Sequence, residues 1–281
     1  MNYRHAFHAG NFADVFKHVV LTRILAHLAQ KEAPFRVIDT HAGAGLYGLD
    51  DDEAQRTGEW AEGLGRVMEE KPSGRIRELL EPWLSLAEEY SAASPRLYPG
   101  SPTLARRLTR PQDRLTFYEL HPDEAALLRG DVGRDRRVKV IEADAWINLA
   151  GQLPPPERRG LVLIDPPFEQ PHEFRTIGER LAAAVPRWSH GTYAVWYPIK
   201  AMREVDAFAR RMAGLPAAKI LRADLTRYDV NRVDRLNGCG MIILNPPWRL
   251  DEELGQIGHW LAGVFAREGS GHFRLEWLKS E

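Results

Sequence analysis

The sequence predicts an α/β domain of the doubly wound type, built on a mostly parallel sheet of seven strands. Short β-rich runs recur along the 281 residues with helical stretches between them. The first run ends in Asp39-Thr40-His41-Ala42-Gly43-Ala44-Gly45, a glycine-rich turn that lets backbone approach a ligand. The length suits one such domain carrying an insertion, and the fold holds its ligands at the carboxyl ends of the strands.

A helix precedes the sheet. Asn11 stands three residues ahead of Asp14, the spacing of a capping box, and Val15, Phe16, Val19, Val20, Ile24 and Leu28 follow as its apolar stripe. Tyr3, Arg4, His5 and His8 lie ahead of that helix, and Lys17 and His18 on it. Their aromatic and basic character suits a base and its phosphate, so this segment is expected to form part of the active-site wall. Five of the ten histidines fall within the first 41 residues, yet no cysteine there supports a zinc site.

Strands are expected at 36–39, 115–119, 138–141, 161–165, 192–197, 219–224 and 241–245. Between the first two, residues 50–90 hold 12 acidic and 5 basic side chains, a net of −7 that leaves +6 on the remainder. This predicts an acidic helical insertion on a mildly basic body, the body being the place for a polyanionic partner; a merely solvated helical face is the alternative. The formal charge of the whole chain is −1, which excludes a uniformly basic coat. No apolar run reaches membrane-spanning length, and the N-terminus lacks signal-peptide grammar, so a cytoplasmic protein is expected. The single cysteine, Cys239, is expected in the core, as are most of the eight tryptophans.

Gly43, Gly45 and Gly48 satisfy a dinucleotide-binding glycine pattern, but the acid that should end a second strand about 20 residues on is missing; 62–70 is helical sequence. A better match is Asp39, Glu119 and Asp144 at the ends of the first three strands. A carboxylate ending the second can accept from both hydroxyls of a ribose, and one after the third can meet an adenine amine, the order seen in S-adenosylmethionine methyltransferases. After the fourth strand comes Asp165-Pro166-Pro167-Phe168. A carboxylate and a prolyl carbonyl that accept the hydrogens of an exocyclic amine favour its pyramidal, nucleophilic form, while Phe168 offers a face to a flipped base. Asn245-Pro246-Pro247-Trp248 has the same pattern but follows the seventh strand, away from the cofactor side, and is read as a structural turn. Arg227, Arg232 and Arg235 are candidate phosphate contacts.

Tyr3 to Asn11, Asp39 to Gly45, Tyr98-Pro99-Gly100-Ser101-Pro102, Glu119-Leu120-His121-Pro122, Asp165-Pro166-Pro167 and Asn245 to Trp248 together resemble the bacterial 23S ribosomal RNA adenine-N6 methyltransferases of the RlmJ type. The resemblance implies a Rossmann-like class I methyltransferase domain at 1–49 and 91–281 with a helical subdomain at 50–90. It implies S-adenosylmethionine as cofactor, met by His18, His41, Gly43, Ser101, Glu119, Asp144 and Ala145. Asp165, Pro166 and Phe168 would form the catalytic loop, with Tyr3, Arg4, His5 and Lys17 on the substrate side. Phe168 stands where the family often has Tyr, keeping the stacking face without the hydroxyl. The expected partner is naked or early-precursor 23S rRNA, the expected enzyme a metal-free monomer. A DNA adenine methyltransferase and a non-catalytic nucleic-acid-binding protein with a retained methyltransferase fold are the competing readings.

Overall fold

The computed structural model describes residues 4–170, 172–230 and 235–280. A 3-10 turn at His5–Phe7 leads into α1 (Phe12–Ala29). Then follow β1 (Arg36–Asp39), β2 (Leu46–Gly48), α2 (Asp52–Thr57), a π-helical turn at Ala61–Gly65, α3 (Arg66–Glu70), α4 (Gly74–Ser91) and β3 (Leu97–Pro99). The chain continues through α5 (Ser101–Leu108), β4 (Arg114–Glu119), α6 (Pro122–Val132), β5 (Val138–Glu142), α7 (Ala145–Asn148), β6 (Gly160–Ile164) and α8 (Glu173–Ala184). It closes with β7 (Thr192–Ile199), α9 (Met202–Ala213), β8 (Ile220–Thr226), β9 (Gly238–Leu244), α10 (Leu250–Phe265) and β10 (His272–Lys279).

The main sheet has the order β5-β4-β1-β6-β7-β9-β8-β10. From β5 to β7 all pairs are parallel; β9 runs antiparallel between β7 and β8, and β10 pairs antiparallel with β8. This is the expected Rossmann-like fold with one strand more than the seven predicted, and with a separate two-stranded antiparallel sheet of β2 and β3. Neither addition carries a clear local pattern. β10 lies on the sheet edge, where only Phe273 of its eight residues is buried and charged side chains break up the apolar pattern. β2 and β3 are three residues each, too short to show a period of two.

The order of winding reverses between β1 and β6, parallel neighbours at the centre of the sheet, so a crevice opens at their carboxyl ends. All five residues of β6 are buried, as a strand covered on both faces requires. One face is covered by α1, α4, α5 and α10, the other by α7, α8 and α9. The helix α1 is buried on nearly every side and packs against α4, so the acidic segment between β2 and β3 shares the core of the body through Leu79, Leu80 and Trp83. Cys239 is fully buried on β9, as are Trp83 and Trp188 in the core, but Trp248 is 83% exposed.

Asn245 sits at a backbone φ of +50 just past β9. Its amide donates to the carbonyls of Ser189 and Gly191 at 2.9 and 2.8 Å, and its Oδ1 accepts from the Ala218 amide at 3.2 Å. It ties together the amino ends of β7 and β8, at the opposite end of the sheet from the crevice. Asn245→Ala should therefore lower stability by about 1–3 kcal/mol, from lost hydrogen bonds and a left-handed residue without its partners, and leave turnover at 25 °C unchanged. Thermal denaturation and methyl-transfer assays on the same preparation check both halves.

Candidate active site

A cleft of about 1070 Å³ opens over the carboxyl ends of the parallel strands. His5, Lys17, His18, His41, Gly43, Ser101, Glu119, Asp144, Ala145, Asp165, Pro166 and Phe168 all line it. Asp165 is the first residue after β6, so the strand aims it into the crevice. Lys17 reaches it from α1: Nζ lies 2.5 Å from Asp165 Oδ2 and 2.8 Å from Asp14 Oδ1. Burial works against the ammonium charge, but the two carboxylates overcome it and hold Lys17 well above its ordinary value.

Asp14 organises this corner and was read from sequence only as part of a capping box. Asn11 Oδ1 does accept from the amides of Ala13 and Asp14, both at 2.9 Å, which caps α1. The Asp14 carboxylate does not return the bond to Asn11; it accepts from the Gly10 amide at 3.1 Å and meets His5 Nε2 at 2.8 Å and Lys17. Burial would raise its pKa, but His5, Lys17 and His18 hold it well below 3.8. A depressed carboxylate contributes stability that is present above its unfolded value and lost as pH falls through the folded one. The stability difference between the protein and Asp14→Asn should thus be largest above about pH 4 and shrink at lower pH, as urea titrations over that range would show.

The cofactor-side candidates converge at the other end of the cleft. Glu119, last residue of β4, accepts from the Gly43 amide at 2.8 Å with Oε2 and from the His121 amide at 2.7 Å with Oε1. The glycine turn is thereby tied to the strand next door, and Gly43 adopts a φ of +65. Asp144 caps α7, with Oδ1 accepting from the Trp146 amide at 2.8 Å. Asp39, expected among the cofactor acids, does not line the cleft: it lies beneath it, accepting from Ser101 Oγ at 2.6 Å and the His41 amide at 3.2 Å, and burial lifts its pKa to about 6. It positions Ser101 and His41 from below.

Two histidines line this space. His18 stacks on Tyr98 and shares a 2.8 Å hydrogen bond with its hydroxyl through Nδ1, while its buried Nε2 has no protein partner. Burial pushes His18 well below its ordinary value and His41 down to about 4, so both are neutral near pH 7. The Thr40 hydroxyl has one proton, which goes to the Leu163 carbonyl at 3.0 Å; it therefore accepts from His41 Nδ1 at 2.8 Å, leaving His41 Nε2 as an acceptor.

Phe168 has a φ of +51, and its ring packs against Phe174 and Trp196 at 5.0 and 5.8 Å between centroids. Trp196, with Tyr47 beside His5, adds to a wall that local sequence does not reveal, and Phe174 backs the Phe168 ring. Arg4 is not brought into the cleft; it faces Glu53 of α2 at 3.7 Å. Tyr3 and Arg232 lie outside the described residues. Arg227, expected on a phosphate-binding surface, is instead buried, bonded to Glu62 at 3.1 Å and lying over the Phe12 ring; Arg235 covers the Tyr228 ring and pairs with Glu268. Their charges are absorbed within the fold. Among the described residues, no group of three or more His, Cys, Asp or Glu side chains is arranged to hold a metal ion, and no helix is long and apolar enough to cross a membrane.

Residues 32–279 match the family model described as Ribosomal RNA large subunit methyltransferase D, RlmJ. The chain is 37% identical to Ribosomal RNA large subunit methyltransferase J of Escherichia coli K12, and 35% identical to the protein of that name from Haemophilus influenzae, each over the whole of both chains. A crystal structure of a Legionella pneumophila protein superimposes with a TM-score of 0.87 at 35% identity, covering 96% of this chain and 98% of that one.

Proposed function

The chain belongs to the RlmJ family of ribosomal RNA large subunit methyltransferases, and on that premise we propose that it methylates N6 of an adenine in 23S rRNA, the base being flipped out of protein-free or precursor RNA. The observation that carries this reading is Asp165, pinned by Lys17 at the end of β6, in one cleft with Glu119, Ser101, His18, His41 and Asp144.

The residues fit S-adenosylmethionine. His18 Nε2 and His121 Nδ1 are buried polar atoms without protein partners, on residues that line the cleft. Each Glu119 oxygen uses one lone pair on a backbone amide and keeps another for a ribose hydroxyl; Asp144 keeps Oδ2 for an adenine amine. His18, His41, Gly43, Ser101 and Ala145 would complete that end. When bound, the cofactor supplies an activated methyl and a thioether leaving group.

The chain's own part is alignment and polarisation, of which orientation alone contributes several kcal/mol. Asp165 and the Pro166 carbonyl accept the two hydrogens of the target amine, which keeps its lone pair out of the ring and aimed at the methyl. Lys17 holds Asp165 in place. Because it is itself kept charged, Lys17 has no lone pair with which to take the amine proton; Asp165 accepts it or relays it to water. Phe168 gives the flipped base its stacking face, backed by Phe174 and Trp196. Tyr3, Arg4 and His5 are assigned to the substrate side, with His5 lining the cleft itself.

Tritiated-methyl transfer to naked 23S rRNA, naked 16S rRNA, intact large subunits and duplex DNA tests the assignment. Naked 23S rRNA should be the best acceptor, with N6-methyladenosine the labelled nucleoside. Preference for DNA or 16S rRNA would overturn the substrate, and preference for intact subunits would remove the protein-free requirement.

A further inference from the structure

No residue of the acidic segment between β2 and β3 takes part in the reaction as proposed, and only Glu59 of that segment lines the cleft. One set of the segment's contacts falls on a single stretch of chain. Glu59 Oε2 meets His8 Nδ1 at 3.0 Å and accepts from Asn11 Nδ2 at 2.9 Å. Thr57 Oγ1 donates to the Phe7 carbonyl at 2.6 Å, and the Leu64 amide donates to the Gly10 carbonyl at 2.9 Å. Gly63 lies so close that a Cβ on it would stand 2.2 Å from the Gly10 oxygen. Four residues of the segment, 57 to 64, thus grip residues 7–11 from one side.

What lies beyond that stretch gives the grip its meaning. Residues 7–11 join the turn carrying His5 to the first two turns of α1, which carry Asp14 and Lys17. Asn11 is held by Glu59 through its Nδ2 while its Oδ1 caps the amides of Ala13 and Asp14. Asp14 in turn holds His5 and Lys17, and Lys17 holds Asp165. The path from the segment to the carboxylate is one continuous set of hydrogen bonds.

We propose that the segment between β2 and β3 is a clamp on the active-site wall, with Glu59 the positioning residue that fixes residues 7–11 so that His5, Asp14 and Lys17 converge on Asp165. The proposal rests on the reading of Asp165 as the reacting carboxylate. A negative side chain serves here because its partners are two donors, one of them a histidine whose proton the carboxylate favours: the hydrogen bond to Glu59 raises the His8 pKa. The charge that looked like a solvated helical face is in part turned inward, with Glu53 toward Arg4 and Glu62 toward Arg227 and Arg267.

The test compares Glu59→Ala, His8→Ala, the double variant and Glu59→Gln, with the exposed Glu78→Ala on α4 as control. In ligand-free protein, amide exchange across residues 4–14 should speed up in Glu59→Ala and stay unchanged in Glu78→Ala. Turnover on naked 23S rRNA should fall about 10- to 100-fold, the scale of a misplaced catalytic group, with cofactor affinity within about twofold. The double variant should be no worse than Glu59→Ala, because both changes break one path. Glu59→Gln, which still offers an oxygen to both donors, should recover most of the loss. Unchanged exchange, multiplicative losses in the double variant, or a Gln variant as poor as Ala would each overturn the clamp. If Glu59→Ala does not fold, His8→Ala, which leaves the segment intact, carries the same readouts. The exchange arm needs no substrate, so failure of the natural protein to methylate 23S rRNA would count against the proposed function and leave the clamp to be judged separately.

Discussion

Asp165→Ala should lower turnover by about 10²- to 10³-fold, the scale seen when one preorganised hydrogen-bonding group is removed from a transition state. Cofactor affinity measured by calorimetry should stay within about twofold, since Glu119, Asp144 and Ser101 stand on other elements. The substitution also leaves the Lys17 ammonium, whose side chain is only 5% exposed, with Asp14 as its remaining carboxylate. A loss of roughly 1–3 kcal/mol in stability is therefore expected alongside the loss of rate. Asp165→Asn separates the two effects: its carbonyl can still accept from Lys17, so stability should be nearly kept, while an uncharged group polarises the amine poorly and turnover should remain low. Near-normal turnover in either variant would remove Asp165 from the reaction.

Glu119→Ala should weaken S-adenosylmethionine binding at least tenfold, or about 1.5–3 kcal/mol for a charge-assisted hydrogen bond to the ribose. Part of that loss comes through the glycine turn, because the same carboxylate holds the Gly43 amide at 2.8 Å and the His121 amide at 2.7 Å. Glu119→Gln should be nearly as harmful. Both oxygens face backbone donors, so either orientation of the amide sets its NH₂ against an N–H. Titration calorimetry on both variants, with circular dichroism to confirm folding, checks this; unchanged affinity in Glu119→Ala would mean that another group holds the ribose.

Much of this molecule is legible in the chain because the informative signals are local. The buried run before Asp165 marks a strand covered on both faces, and the end of a strand is where this architecture exposes a side chain, so Asp165 could be placed at the crevice without coordinates. Glu119 and Asp144 follow from the same rule. β10 was missed where that local signal fails, since an edge strand with one buried residue carries no clear alternation.

What tertiary structure decided is which partner each charged side chain finds. Lys17 and Asp165 are 148 residues apart, and nothing near either one announces the other. Asp14 reads as a capping acid but serves as the hub for His5 and Lys17, and Asp39 reads as a ligand of the cofactor but supports Ser101 from below. Arg227 reads as a surface cation and is buried between Phe12 and Glu62. Sequence by itself determined the element types, the strand ends and the chemical kind of the groups there, because periodicity and turn chemistry act over a few residues. Pairing of charges depends on distance and burial across the packed sheet, and those exist only once the chain has folded.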